Sequence, residues 1–167
     1  MGKFPILLDS DRNKMVTETS VIIEYLDAYY PGRTRFIPKD LDTALEVRRW
    51  DRVFDHLNTT MSKIVVDNIR PDGQRDPFGV DEAKRIIAGI YTVIEAQLGD
   101  RNACIVGNEF TLADCAAAPA LWYATRNAPL DGKFPRITAY LERLKARPSF
   151  ARAVKEAEPL FHMYPGA

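Results

Sequence analysis

The stretch Gly107-Asn108-Glu109-Phe110-Thr111-Leu112-Ala113-Asp114, running on through Cys115-Ala116-Ala117-Ala118-Pro119-Ala120-Leu121-Trp122-Tyr123, constrains the fold of this chain more than any other. Thr111 and Asp114 stand at the spacing of a capping box. In that arrangement the Thr hydroxyl accepts from the third helical N–H and the acid reaches back to the cap residue's own N–H. Asp is a shorter variant of the usual Glu or Gln. Phe110, one residue before the cap, is placed to staple onto Cys115 or a neighbour and so to fix the angle at which the chain enters the helix. Between Leu112 and Ala124 only Asp114 is charged, the pattern of a helix buried on every side. Interrupted by Pro119, where a kink is expected, and no longer than about 20 residues, it reads as a core helix and not a membrane span.

The whole chain has 167 residues, the size of one domain or of one domain with a piece of another. Lys plus Arg number 23 and Asp plus Glu number 23, so no global field draws nucleic acid or an anionic membrane. With no apolar run of about 18 residues and no basic-then-apolar leader, the expectation is a soluble, cytoplasmic protein. Cys104 and Cys115 lack metal-ligand or C-x-x-C spacing and suit a reducing compartment. Cys115 reads as a small buried hydrophobe. His56 and His162 have no third partner, so no metal site is expected.

In chain order, Phe4-Pro5-Ile6-Leu7-Leu8 and Lys14-Met15-Val16 flank a polar turn and predict a hairpin. Thr17-Glu18-Thr19-Ser20 then opens a helix that places Ile22, Tyr25, Leu26 and Tyr29 at helical spacing and ends at Pro31-Gly32. Residues 34–40 read as an irregular joint. Val47, Trp50, Phe54, Leu57, Met61 and Ile64 step by three and four, predicting one long helix from Leu41 to about Ile69. Its other face, with Glu46, Arg48, Arg49, Asp51, Arg52 and Asp55, reads as solvated or as a polar dimer contact. Arg70 to Gly79 reads as a loop full of breakers. Ala83, Ile87, Ile90, Tyr91, Ile94 and Leu98 mark a second long helix, stopped by Gly99. After the capped helix, one more begins behind Phe134-Pro135, and Pro148 starts a last short one to about Ala157.

In this order the residues resemble the glutathione transferase family, as a chain without its first fifty or so residues. Phe4-Pro5-Ile6-Leu7, followed by Glu18-Thr19 and Ile23-Glu24-Tyr25-Leu26, resembles the second half of the family's thioredoxin-like domain, whose proline is cis. Gly107 to Asp114 resembles the capping box and staple of its helical domain. Phe134-Pro135-Arg136-Ile137 to Arg147-Pro148-Ser149-Phe150 resembles the helix and turn that follow. The fold implied is mainly α. Residues 1–33 would form a partial thioredoxin-like piece (β-hairpin plus helix), 34–40 a linker, and 41–167 the all-helical C-terminal domain.

The resemblance implies glutathione as substrate and a second copy of the chain as partner, in a homodimer. Glu18 would take the ammonium of the γ-glutamyl group, and Thr19 with the helix N-terminus its carboxylate. The backbone of Phe4, before cis Pro5, would meet the cysteinyl part. Asn58, Met61, Trp122 and Tyr123, with Phe161, His162 and Tyr164 from the tail, are the candidates for an electrophile pocket. Thr111 and Asp114 are structural. The Tyr, Ser or Cys that stabilises the thiolate lies, in the family, in a segment with no counterpart here, so no catalytic residue is assigned. The chain is expected to be a shortened form, from a late start at Met1 or from processing, its hairpin covered by the helical domain or by a second copy. Conjugation to an electrophile would need the missing segment. The other readings are a non-catalytic interaction module and a ligand-binding protein without turnover.

Overall fold

A computed structural model describes residues 4–99 and 103–165; Met1 lies outside them. Strands β1 (Ile6–Asp9) and β2 (Lys14–Thr17) pair antiparallel, in register from Ile6 opposite Thr17 to Asp9 opposite Lys14. The turn closes with Asn13 in the left-handed region at φ 49°, which Asn tolerates. Helix α1 (Thr19–Tyr29) follows at once. It is tied back to the hairpin by Tyr25 and Tyr30, whose hydroxyls donate to one oxygen of Asp9 at 2.6 and 2.7 Å. These two bonds, Tyr25 first, hold the Asp9 carboxyl below its usual range, and the same carboxylate helps push Tyr30 up to about 12. The outer face of the hairpin keeps Ile6, Leu8 and Met15 exposed.

Residues 34–40 are irregular, as expected, yet they are firmly held. Asp27 of α1, only 4% exposed, accepts from the backbone N–H groups of Phe36 (3.0 Å) and Ile37 (3.3 Å) and pairs with Arg35 at 3.2 Å. The Phe36 carbonyl in turn accepts from the N–H of Leu112 at 3.0 Å, and its ring meets Phe110 edge-on. One carboxylate therefore fixes the joint, and the joint supplies a partner for the first N–H of the central helix.

Helix α2 (Leu41–Asn68) begins at Asp40, whose side chain accepts from the Thr43 N–H at 2.9 Å. All six residues of its predicted apolar stripe are buried. The opposite face departs from expectation at Asp51, which is buried and not solvated. It lies four residues after Val47 and three before Phe54, on the margin of the stripe, where α1 packs over it. Helix α3 (Pro77–Leu98) starts inside the segment read as a loop. Pro77 is a breaker only in a helix interior; at the first helical position its lost N–H costs nothing. Asp76 caps this start by accepting from Gly79 N–H, and a Cβ on Gly79 would overlap that carboxylate.

Helix α4 (Leu112–Asn127) is the predicted central helix, lying against α1 and α2 and against α5 (Pro135–Ala146). Helix α6 (Pro148–Ala157) and a 3₁₀ turn (Glu158–Met163) close the chain. The expected capping box forms. Phe110 packs on Phe36 and carries the Arg147 guanidinium 3.6 Å above its ring, so the anticipated staple becomes part of a larger aromatic joint. Asp114 is fully buried, and its two oxygens accept from Thr111 N–H (2.8 Å), Thr111 hydroxyl (3.0 Å), Ile105 N–H (3.1 Å) and Tyr140 hydroxyl (2.6 Å). Burial, with Asp114 beside it, raises the Tyr140 hydroxyl well above its ordinary pKa. At the start of α5, Glu95 of α3 accepts from the N–H groups of Arg136 and Ile137, both at 2.9 Å.

Replacing Asp114 by Ala strands two buried N–H groups and two buried hydroxyls, each costing about 1–3 kcal/mol where it finds no other partner. We expect Asp114→Ala to lose about 3–5 kcal/mol in urea unfolding, against about 1 kcal/mol for Thr111→Ala, the ordinary worth of a helix cap.

Candidate functional site

The hairpin register brings Phe4-Pro5, just before β1, to the same end as Glu18-Thr19, just after β2. The Phe4-Pro5 peptide is cis, as the resemblance implies. Glu18 is the cap residue of α1, at φ 68° and ψ 122°, and its side chain makes no bond to the helix it precedes. A non-glycine residue at such a φ costs about 1–3 kcal/mol and persists where the surroundings enforce it, often at a binding site. The first turn of α1 thus offers N–H groups that its own cap leaves unbonded, at the positive end of the helix dipole.

Beneath that turn lies a cleft of about 300 Å³, walled by α1, α2 and α4 and lined by Thr19, Ser20, Asp51, Asn58, Cys115 and Tyr123, among others. Its polar end is ordered by Asp51, one oxygen of which accepts from the Ser20 hydroxyl at 2.8 Å while the other meets Arg52 at 2.8 Å. Arg52 also reaches Asp55 at 3.5 Å and feels the charge of Glu18. A second bridge, Arg48 to both oxygens of Glu24 at 2.9 and 2.8 Å, pins α1 to α2 one turn away.

Of the residues expected to form an electrophile pocket, Asn58 and Tyr123 line this cleft, while Met61 and Trp122 are buried behind it. Met61 sulfur accepts from the Tyr164 hydroxyl at 3.8 Å. Trp122 packs against Tyr123, Phe150 and Phe161, with Arg126 over its face at 4.1 Å. Phe161 stacks parallel to Tyr123, and Tyr164 accepts from the Asn127 amide at 2.7 Å. The tail aromatics therefore brace Tyr123 from behind. His162 is exposed and bonds the Pro159 carbonyl.

Residue pattern had not pointed to Ser20, Asp51 and Arg52 as a unit. The available signal was the position of Asp51 at the margin of the α2 stripe, where an acid must find a donor once buried. Cys115 is half-buried, not fully so, and faces the cleft; burial pushes its thiol up to about 12, and that of Cys104 up to about 11. Neither supplies a thiolate near neutrality. Among the described residues no three His, Cys, Asp or Glu side chains cluster to hold a metal, and no helix is long and apolar enough to cross a membrane.

Residues 57–148 match the sequence profile described as glutathione S-transferase, C-terminal domain. Glutathione S-transferase 3 of Zea mays is 30% identical over 160 residues, spanning 92% of this chain and 71% of that protein. The chain belongs to the glutathione S-transferase family. Among solved structures, a glutathione S-transferase of Methylobacterium radiotolerans in complex with glutathione sulfonate superposes with a TM-score of 0.79 at 30% identity, covering 91% of this chain and 72% of that one. Another, from Methylobacillus flagellatus with glutathione bound, gives 0.81 at 25% identity, covering 90% and 75%. The β-hairpin, helix and helical domain of this transferase-family chain are the elements those superpositions share with it.

At pH 8 a thiol with a pKa of 11 or more should react with an aromatic disulfide reagent more than about 100-fold slower than free cysteine, whose pKa is about 8.5. Stopped-flow labelling of the native chain, and again in denaturant, measures that ratio.

Proposed function

We propose that this chain binds glutathione across the start of α1 and, once a thiolate-stabilising donor completes the site, conjugates it to an electrophile held in the adjoining cleft. The observation that carries this reading is the α1 N-terminus: uncapped by its own cap residue, opening on a cleft, and entered through a strained Glu18. Relatives crystallised with glutathione or its sulfonate support the ligand's identity. The γ-glutamyl carboxylate would sit on the N–H groups of the first turn and the Thr19 hydroxyl, its ammonium on Glu18. The backbone of Phe4 beside cis Pro5 would meet the cysteinyl unit, directing the sulfur toward the cleft. Asn58 and Tyr123 would touch the electrophile, and Met61 and Trp122 would act by holding Tyr123 in place.

No residue of this chain is assigned to the thiolate. Three hydroxyls of α1 and its C-terminal end already donate elsewhere: Ser20 to Asp51, and Tyr25 and Tyr30 to Asp9. A hydroxyl whose proton is committed to a carboxylate is a poor donor to sulfur. We place the protein in the cytoplasm as a homodimer, on the two free cysteines and on the exposed apolar side chains Val66, Ile69 and Phe78 where α2 meets α3; light scattering reads the mass directly.

Calorimetry should show glutathione binding to the 167-residue chain, weakened about tenfold or more by Glu18→Ala, the worth of one charge-assisted bond. An unchanged affinity in that variant would remove Glu18 from the site. Conjugation of a generic aromatic electrophile by the chain alone should rise about tenfold per pH unit up to the free thiol's pKa near 8.5, because only ambient thiolate is available. A rate already level near pH 7 would reveal a donor inside the chain. Binding with no turnover at any pH favours the ligand-binding reading.

A further inference from the structure

Beside the Phe36-Phe110 joint lies a larger cleft, of about 680 Å³, between the 33–38 segment, residues 103–111 and α5. Four guanidiniums line it, from Arg33, Arg35, Arg143 and Arg147, against one carboxylate, Glu109, among the described residues. In a chain whose formal charge sums to zero, this is a strong local excess of positive charge.

Three of the four arginines are held in place by contacts that leave donors over. Arg35 is pinned by Asp27 at 3.2 Å. Arg143 spends its Nε on the Ala103 carbonyl at 3.2 Å, keeping both terminal NH₂ groups. Arg147 sits over the Phe110 ring with its guanidinium carbon 3.6 Å from the ring centre, a cation–π contact that consumes no N–H donor in a hydrogen bond. Neither Arg33, Arg143 nor Arg147 has a carboxylate partner among the described residues. The hydroxyls of Thr111 and Tyr140 are turned inward to Asp114, so the guanidiniums are the main donors facing the cleft, beside the neutral Thr34 hydroxyl and Asn108 amide. Cys104, on the same wall, remains a neutral thiol and adds no competing charge.

We propose that this cleft is a second binding site, selective for a small phosphate-bearing molecule and independent of the glutathione reading. Guanidinium forks match phosphate oxygens two at a time, and arginines already immobilised lose less entropy when they bind. The volume suits a ligand up to nucleotide size, since small-molecule pockets run from about 300 to 1,000 Å³. Pro38 and Leu144 give an organic body apolar surface to rest on.

The test is calorimetric titration of the 167-residue chain with inorganic pyrophosphate and, separately, with ADP at low ionic strength. We expect one saturable site that weakens as salt is raised. Arg33→Ala and Arg143→Gln should each cost about tenfold in affinity, and Arg85→Ala, on α3, should cost nothing. Arg33 is exposed on a loop, so its removal leaves the melting temperature unchanged and keeps the outcome readable if Arg143→Gln impairs folding. Tighter binding of ADP assigns a nucleotide-type ligand, and equal binding an inorganic polyphosphate; both support the site. Absence of heat with either probe, affinity unchanged in both cleft variants, or displacement of the probe by glutathione would overturn it.

Discussion

The fold hangs on a buried carboxylate, Asp114, that no cation pairs with among the described residues. Asp114 takes four hydrogen bonds from three separate parts of the chain: its own helix cap, the loop residue Ile105 and Tyr140 of α5. A buried charge is tolerated only where donors replace its lost water, so forming α4 correctly requires the loop and α5 to be in place. The capping box is thus more than a local stop signal. It converts the start of one helix into a test of tertiary assembly, and the apolar surface of α4 then has α2 on one side and α5 on another.

A second carboxylate does the same for the smaller unit. Asp27 reads the backbone of Phe36 and Ile37, and Phe36 passes the constraint to Leu112. Asp51 repeats the pattern within the cleft by joining Ser20 to Arg52. None of these three acids is paired with a cation three or four residues away on its own helix: Asp27 and Asp51 position α1 against the joint and α2, and Asp114 seats α4 against α5. The apolar core supplies cohesion: Trp50, Phe54, Tyr91 and Tyr140 are buried almost completely, each worth about 1.5–3 kcal/mol of transfer free energy. The acids supply orientation, which apolar burial alone leaves loose.

Much of this was legible in the residues. The stripe from Val47 to Ile64 gave α2 almost to its ends because the period of a helix and the cost of exposing Trp50 or Phe54 point the same way. Thr111 and Asp114 gave the start of α4 because a cap has fixed spacing. Pro77 misled, since a proline marks both a break and a first turn, and only the Asp76 cap behind it decides between them. Asp51 was misplaced because a charged residue on a helix is exposed unless another element covers it, and the cover comes from Ser20, thirty-one positions away. Asn58 and Tyr123 could not be told from Met61 and Trp122 by spacing, because a cleft wall and a core are both faces of the same helices. The strain at Glu18 leaves no trace in composition at all; it follows from the abrupt passage of β2 into α1.

The held linker has a consequence for how such a cleft can change over time. Two of its three walls, α1 and α4, meet through backbone atoms of residues 36 and 37 and of Leu112, and not through side chains alone. Backbone bonds are indifferent to which side chains the linker carries, but they are intolerant of a changed count between Asp27 and Phe36. Drift in the identity of these residues is therefore cheap, whereas an inserted or deleted residue would shear the two walls past each other. Variation in what the cleft accepts is thereby channelled into the side chains that line it, over a gap whose width is set by the length of the chain.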